Sequence, residues 1–318
     1  MNCDLCGERE AQVLQPHTNR KLCVPCFLED VKSRIRIEAT RLGIDRSKKV
    51  LVAVSGGKDS FVLLDSLREF LDPDNIIPFN IEEGIEGYNR KDQADQLIQL
   101  TNVKSLIKTS FRESLGYALD QMVSGASSSG LKTSACTFCG GFRRKLINDF
   151  ARKVGADVVV TGHNLDDEVQ TIIINLLRGD LERLVRFGSV PLIVSSKFVP
   201  RLKPLRRIYE WETTLYANFR GYSFQDVECP YMLRRPTLRA RVRELLYQME
   251  FKSPGVLLRI LDTFDQISMN MRSKLSSALS LPNCIICGEP TSTGRTICKN
   301  CELLIKSGLL DSPLKSTY

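Results

Sequence analysis

The chain has 318 residues, 42% of them hydrophobic and 26% charged, a composition that excludes pervasive disorder and allows one large core with small satellites. No apolar run approaches the roughly 20 residues of a membrane-spanning helix, and Cys3 stands too near the start for a secretory leader, so a cytoplasmic protein without a membrane partner is expected. The net charge of +8 suits a polyanionic partner but does not require one.

In a reducing compartment the 11 cysteines point to metal binding or catalysis rather than to disulfides. Cys3, Cys6, Cys23 and Cys26 form two Cys-x-x-Cys pairs around a turn at PHTNRK. Pairs so close in sequence reach one tetrahedral zinc, and a closed set of four thiolates leaves no position open for chemistry, so this metal is read as structural. The knuckle is expected to occupy residues 1–27, with a catalytic domain over 28–235.

Residues 49–54 (KVLVAV) are short, β-branched and strand-like, and they run into SGGKDS (55–60) and then FVLLDSLREFL, whose Val62, Leu63, Leu67 and Phe70 recur at helical spacing. Gly56 and Gly57 let backbone N–H groups approach phosphate oxygens, and the helix start adds its positive end. Lys58 and Ser60 supply charge and a hydroxyl. The spacing is not Gly-x-x-x-x-Gly-Lys-Ser/Thr. A plain structural turn is the competing reading, and the strand and helix on either side argue against it.

Strands at 76–81 and 103–108 bracket a helix at 91–101, and Ser110 with Glu113 forms a capping box for the next helix. SGASSSGLKTS (124–134) reads as a flexible segment. A helix over 141–154, a strand in DVVVTG (157–162) and a helix over 166–178 complete an α/β pattern, which implies a doubly wound parallel sheet with its ligand at the strands' carboxyl ends. That rule collects residues 55–60, the segment after Ile81, residues 136–143 and GHNLDDE (162–168). His163 alone is more often a core or capping residue than a catalyst. Asp166 and Asp167 suit a helix's first turn, though beside a triphosphate a carboxylate also holds magnesium or orients substrate.

A second quartet, Cys284, Cys287, Cys298 and Cys301, repeats the zinc pattern around GEPTSTGRTI. Cys136 and Cys139 in TSACTFCGGFRRK, with Cys229 in VECPYML, remain. Three readings stand: three ligands of a four-iron cluster with one iron left free, a core thiol at Cys229, or a redox pair that carries a persulfide. Basic residues gather at Arg201, Lys203, Arg206 and Arg207, and again at Arg234, Arg235, Arg239, Arg241 and Arg243. They form either a solvated face or a nucleic-acid surface. Arg239 and Arg243, four apart, share one helix face.

Taken together, SGGKDS, CTFCGGFRR, GHNLDDE and ECPY between two cysteine quartets resemble the tRNA 2-thiouridine synthetases of the TtuA and NcsA type. These are PP-loop enzymes of the N-type ATP pyrophosphatase superfamily, with a Rossmann-like sheet, and the resemblance spans nearly the whole chain. EEGIEGYN (82–89) and NLLRGDLERL (175–184) are more similar to the archaeal and eukaryotic enzymes of the wobble uridine than to those of the T loop. The resemblance implies that Ser55, Gly56, Gly57, Lys58, Asp59 and Ser60 bind ATP phosphates, with Ala53, Val54, Ile81 and Gly162 against the nucleotide. It implies that Arg143 reaches nucleotide or substrate, that Asp167 stands beside a 4Fe-4S cluster, and that Cys136, Cys139 and Cys229 ligate this cluster.

The implied reaction is adenylation of the uridine C2 oxygen by ATP and Mg2+, after which sulfur held as the cluster's fourth ligand displaces AMP. Two structural Zn2+, a tRNA substrate, a sulfur donor (free sulfide or a ubiquitin-like thiocarboxylate protein) and a homodimer follow from the same resemblance. The knuckles and arginines, with a helical segment at 236–280 and the last knuckle at 281–318, would dock tRNA. Alternatives are a lysidine synthetase or persulfide-based thiouridylase on the same scaffold, a T-loop target, or a non-catalytic RNA-binding zinc protein.

Overall fold

Two short strands, β1 (Val13–Gln15) and β2 (Arg20–Leu22), pair antiparallel across the PHTNRK turn. They lead into α1 (Val24–Arg41), whose buried Phe27, Val31, Ile35 and Ala39 form one apolar stripe. This helix runs unbroken past residue 27, and Cys3, Leu22 and Cys23 belong to the same apolar cluster as the central sheet. The first knuckle is therefore packed as part of the main core. The computed structural model from which these contacts are read describes residues 1–88, 91–181, 184, 187–189, 195–224, 229–231, 238–275 and 281–311.

Next in the chain come β3 (Val50–Ala53), α2 (Lys58–Leu67), β4 (Ile76–Glu82), α3 (Lys91–Thr101) and β5 (Ile107–Ser110). They are followed by α4 (Phe111–Leu115), α5 (Leu119–Ser128), α6 (Ala135–Lys153), β6 (Val158–Thr161), α7 (Leu165–Leu177), β7 (Arg201–Leu202) and α8 (Glu210–Phe219). The sheet order is β5-β4-β3-β6-β7, with every described pairing parallel. Valine-rich β3 and β6 lie at its middle and are buried on both faces, as strands covered by helices on both sides must be. On one face Val50, Val52, Phe61 and Leu64 pack with α1 and α8. On the other, Leu51, Phe79 and Val159 meet Ile147 and Ala151 of α6.

The chain winds outward from β3 through β4 to β5, then returns on the far side of β3 as β6. That reversal opens a crevice between β3 and β6, and the register aligns Ala53 with Thr161 at its mouth. The loops after these two residues are residues 55–60 and 162–164. The expected doubly wound parallel sheet is thus present, with its switch point at the glycine loop.

Beyond it, α9 (Leu238–Lys252) and α10 (Val256–Leu275) pack on α7 through Val242, Leu246, Leu257 and Leu261. The last helix, α11 (Lys299–Lys306), inserts Leu303 and Leu304 against Phe138 and Phe142 of α6. Each such buried side chain contributes about 1.5–3 kcal/mol. No described helix is long and apolar enough to cross a membrane.

Four expectations shift. The strand expected at 103–108 forms as Ile107–Ser110, because pairing of Ile81 with Thr109 sets the register while Lys104 stays outside on Asp74. The Ser/Gly stretch at 124–134 is helical through Ser128, since Leu119, Met122 and Ala126 bury one face. Helix α6 begins at Ala135, six residues before the expected 141, and so carries the Cys136–Cys139 pair. Gly141 fits inside it because a Cβ there would lie 2.3 Å from Asn300 Oδ1.

The fourth shift concerns the first basic group, which is internal rather than a solvated face. Arg206 is fully buried with both Nη atoms on Asp265 (2.5 and 2.8 Å), Lys203 bonds Glu168 at 2.6 Å, and Arg207 bonds Asp262 at 2.6 Å. Of the second group, Arg234 and Arg235 lie outside the described residues.

Candidate active site

The loop after β3 is built by tying its carbonyls back. Asn80 Nδ2 donates to the Val54 carbonyl (2.7 Å), Tyr222 hydroxyl to that of Gly56 (2.8 Å) and Ser60 Oγ to that of Gly57 (2.8 Å). Gly56 takes φ 77, the left-handed region that glycine enters freely. With the carbonyls held, the first-turn N–H groups of α2 remain, and these have no intrahelical acceptor. A phosphate group supplies what they lack.

Lys58 Nζ stands 3.0 Å from Asp59 Oδ2 and 3.5 Å from Glu210 Oε1. Burial would lower its pKa, but these two carboxylates outweigh that effect and hold it above its usual value. Asp59 is fixed in turn by Thr213 Oγ1 (2.6 Å) and Asn164 Nδ2 (3.3 Å). From β6's side Gly162 closes on the loop: a Cβ there would lie 3.0 Å from the Asp59 carbonyl carbon and 3.1 Å from Ser60 N.

Asn164 caps α7 by accepting from Asp167 N at 3.0 Å, which aims the helix's first acids at the crevice. Asp166 accepts from Glu210 N at 2.7 Å, and burial pushes its pKa up to about 6. Asp167 is also raised to about 6, by its confined setting and the like charge of Asp59, against the pull of Arg239 3.8 Å away. His163 bonds Thr161 Oγ1 through Nδ1 at 2.9 Å. Desolvation within the cleft and four cations, Lys203, Arg201, Arg239 and Arg143, lower its pKa to about 3. His163 is therefore a neutral hydrogen-bonding group at physiological pH and carries no proton as an acid.

The Asp167 shift has a sign that can be checked. A carboxyl whose pKa is raised on folding binds its proton more tightly in the native state, so stability falls as pH climbs from about 4 to about 6 and stays lower above. Asp167→Asn mimics the protonated form. It is expected to stabilise the chain at pH 7 by roughly 1 kcal/mol, an amount reduced by screening because the side chain is 39% exposed. Thermal unfolding of both proteins should show that gain at pH 7 and its disappearance near pH 4.

Cys136 and Cys139 lie in the first two turns of α6, three apart and on one side. Arg143 Nη2 comes within 3.4 Å of Cys139 Sγ and also bonds Glu83, just past the end of β4. Cys229 follows the undescribed residues 225–228, and two residues on, Tyr231 donates to Asp120 of α5 at 2.6 Å. Tyr231 and Cys139 line the same apolar cluster. Burial pushes Cys139 up to about 11, with Arg143 opposing, and burial with the Cys229 charge raises Cys136. The three thiols are thus near enough to feel one another. Cys136 and Cys139 resist ionisation unless a cationic group joins them.

Among the described residues, the sets whose ligand atoms fall within 4.8 Å of one another are the two terminal quartets. Sulfurs 2.3 Å from a tetrahedral zinc sit about 3.8 Å apart, and here Cys6–Cys23 measures 3.9 Å and Cys287–Cys298 3.7 Å. The Cys301 thiol donates to Cys298 and holds it down to about 5, while Cys301 itself is pushed far up. Both quartets fit one four-coordinate ion.

The glycine loop follows β3 and Gly162 follows β6, with Asp167 in the first turn of α7, so these residues stand around the mouth of the crevice beside Ala53. Cys139 and Arg143 lie on the β4 side, where Ile81 and Tyr231 join Cys139's cluster, and Cys229 stands two residues before Tyr231. His163 senses Arg143 and Arg239 alike, so the two halves adjoin. Arg239 and Arg243 stay half-exposed at the crevice's rim: Arg239 bonds Gln170 (3.0 Å) and Thr171 (3.1 Å), and Arg243 bonds Glu210 (3.1 Å). Asn80, Asn164, Glu210, Thr213 and Tyr222 complete the site without having been singled out in the sequence, and so does Glu83 from the segment after Ile81.

Comparison with known proteins agrees with this geometry. The PP-loop domain profile matches residues 28–248. A probable sulfurtransferase of Methanocaldococcus jannaschii is 34% identical over 308 residues, covering 95% of this chain and 86% of that protein. The tRNA 2-thiolation protein NcsA of Haloferax volcanii is 31% identical over 324 residues, 96% of this chain and 98% of its own. The solved structure of the U34-tRNA thiolase NcsA from Methanococcus maripaludis with its 4Fe-4S cluster superposes with a TM-score of 0.79 at 27% identity, covering 100% and 99% of the two chains. The chain therefore belongs to the PP-loop family and, within it, to the tRNA 2-thiolation proteins.

Proposed function

We propose that the chain is an ATP-dependent tRNA-uridine 2-sulfurtransferase that acts on the wobble uridine. The observation that supports the reading is that the phosphate loop follows β3 while Glu83, which bonds Arg143 beside Cys139, follows the neighbouring parallel strand β4.

A uracil C2 oxygen is a poor leaving group. In the proposed reaction that oxygen attacks the α-phosphorus of ATP, the bond to the β-phosphate breaks, and pyrophosphate departs. A sulfur nucleophile then adds at C2 and AMP leaves with the oxygen. Residues 55–60 hold the phosphates through α2's first N–H groups and Lys58, while Ala53, Val54, Ile81 and Gly162 bound the nucleotide. Magnesium accompanying ATP would be held by the phosphates and the carboxylates facing the loop, neutralising charge on the departing pyrophosphate. Asp167 and Arg143 orient the base.

Cys136, Cys139 and Cys229 would hold a 4Fe-4S cluster, which with three protein ligands supplies one iron open to an incoming sulfur donor. The terminal quartets would hold zinc and fix the two knuckles. Sulfur arrives as free sulfide or from a ubiquitin-like thiocarboxylate.

Anaerobic purification followed by reconstitution tests this reading. About four irons per chain, tRNA-dependent pyrophosphate release and 2-thiouridine mapped to the wobble position by mass spectrometry are expected. Thiolation of the T-loop uridine instead would overturn the target, and absence of pyrophosphate release would overturn the adenylation step.

The loop geometry yields a further expected outcome. Because Gly162 packs on backbone atoms of Asp59 and Ser60 at 3.0 and 3.1 Å, the added methyl of Gly162→Ala has nothing flexible to push aside and must move the phosphate loop. The variant is expected to fold normally and raise the KM for ATP about tenfold, read in a pyrophosphate-release assay.

A further inference from the structure

Helix α9 carries a row of side chains that the core does not take up. Its buried residues are Val242 and Leu246. One ridge over, Arg239, Arg243, Tyr247 and Phe251 follow at four-residue steps, the spacing of a continuous ridge on a helix surface. The ridge starts inside the site, where Arg239 lies 3.8 Å from Asp167. Its second residue, Arg243, bonds Glu210 at 3.1 Å, and that carboxylate also faces Lys58 of the phosphate loop at 3.5 Å. The Arg243 guanidinium lies 5.5 Å from the centre of the Tyr247 ring. Tyr247 is 44% exposed, and Phe251, at the far end, 89%. Along this length the helix rises about 18 Å.

Leu245 and Met249 on the same helix are exposed as well as Tyr247 and Phe251, and a cluster of exposed apolar side chains, unlike a single one, marks a contact surface. The ridge leading to it is cationic and made of flat groups, guanidinium planes followed by aromatic rings. Splayed-out RNA bases are held between such planes, with phosphates neutralised by the arginines. We propose that this ridge is the track for the unpaired RNA loop that carries the target uridine. Tyr247 and Phe251 stack the neighbouring bases, and Arg243 faces their backbone. The inference rests on the reading that this chain acts on tRNA, and it adds a surface for the loop beyond the reacting base.

The test is equilibrium binding of labelled tRNA by the full-length protein, beside a tRNA whose target loop is replaced by a closed tetraloop. Phe251→Ala is expected to weaken binding of intact tRNA about tenfold and to leave the tetraloop tRNA unchanged. Phe251→Trp keeps the plane and should bind as the unaltered protein does. Phe251→Leu keeps apolar bulk without the plane and should fall with alanine. The slope of log Kd against log salt should stay fixed in the Phe251 variants and drop by about one in Arg243→Gln. ATP binding and the melting temperature of Phe251→Ala should not change.

Undiminished tRNA binding by Phe251→Ala, or equal loss on both RNAs, overturns the proposal. So does a shift in oligomeric state on light scattering that Phe251→Leu restores, because the ridge is then a protein contact. Failure of the underlying reading looks different: the unaltered protein would bind neither RNA.

Discussion

Cys229→Ala, purified and reconstituted without oxygen, is expected to lose nearly all of its cluster iron and all thiolation, while keeping zinc in both terminal quartets and ATP binding. The two halves of the proposed chemistry sit on different elements. The proposed phosphate site is the β3–α2 loop, whose supports are Asn80, Tyr222 and Thr213. The cysteine trio hangs on α6 and on the segment that Tyr231 anchors to Asp120. Removing one of three thiols leaves a pair that cannot hold four irons against loss. The loop is untouched, so nucleotide affinity measured by calorimetry should stay within about twofold of the unaltered protein. Iron content is the discriminating readout. A variant that keeps both iron and thiolation shows that Cys229 is not a ligand, and one that thiolates without iron assigns the sulfur to a persulfide on Cys136 or Cys139.

What the sequence revealed, and what it hid, follows from distance along the chain. The phosphate loop was legible because its strand, glycines and helix are contiguous, and the quartets because their ligands pair at short spacing. Asp166 and Asp167 were visible as the first turn of a helix. Thr213, by contrast, reaches Asp59 across 154 residues, and Tyr222 reaches Gly56 across 166. No local pattern encodes such meetings.

The basic group at residues 201–207 misled for the same reason: its partners, Glu168, Asp262 and Asp265, are contributed by α7 and α10. Composition also misled where packing outweighed it. Serine and glycine suggest a flexible stretch at 124–134, yet Leu119, Met122 and Ala126 place one helical face in the cluster that supports α6.

That buried charge network carries the largest expected effect on stability. Arg206 is fully buried, with Asp265 on both Nη atoms, Glu168 Oε2 3.5 Å from Nε and Glu38 Oε1 3.9 Å from Nη1. Arg206→Met keeps the length and removes the charge, leaving three acids around an apolar chain, with Lys203 on Glu168 and Arg41 on Glu38 as the remaining cations. The loss should be about 3–5 kcal/mol, a large part of the roughly 5–15 kcal/mol that holds a domain folded. Its pH dependence follows from the acids. Without the guanidinium the acids are left as uncompensated buried charges that protonation relieves, so the native state takes up protons at mildly acidic pH. The deficit should therefore shrink as pH falls from 8 towards about 5 and grow again as it rises, measured by urea unfolding across that range. Arg206→Met with Asp265→Leu, which exchanges the pair for apolar contact, should recover much of the loss. Arg206→Lys should not, because one ammonium cannot span both oxygens of Asp265 and also meet Glu168. Since Glu168 follows Asp167 on α7, any variant that frees it should also loosen the acids aimed at the crevice. A deficit below about 1 kcal/mol, or one that widens in acid, would show that the network does not bear on stability in this way.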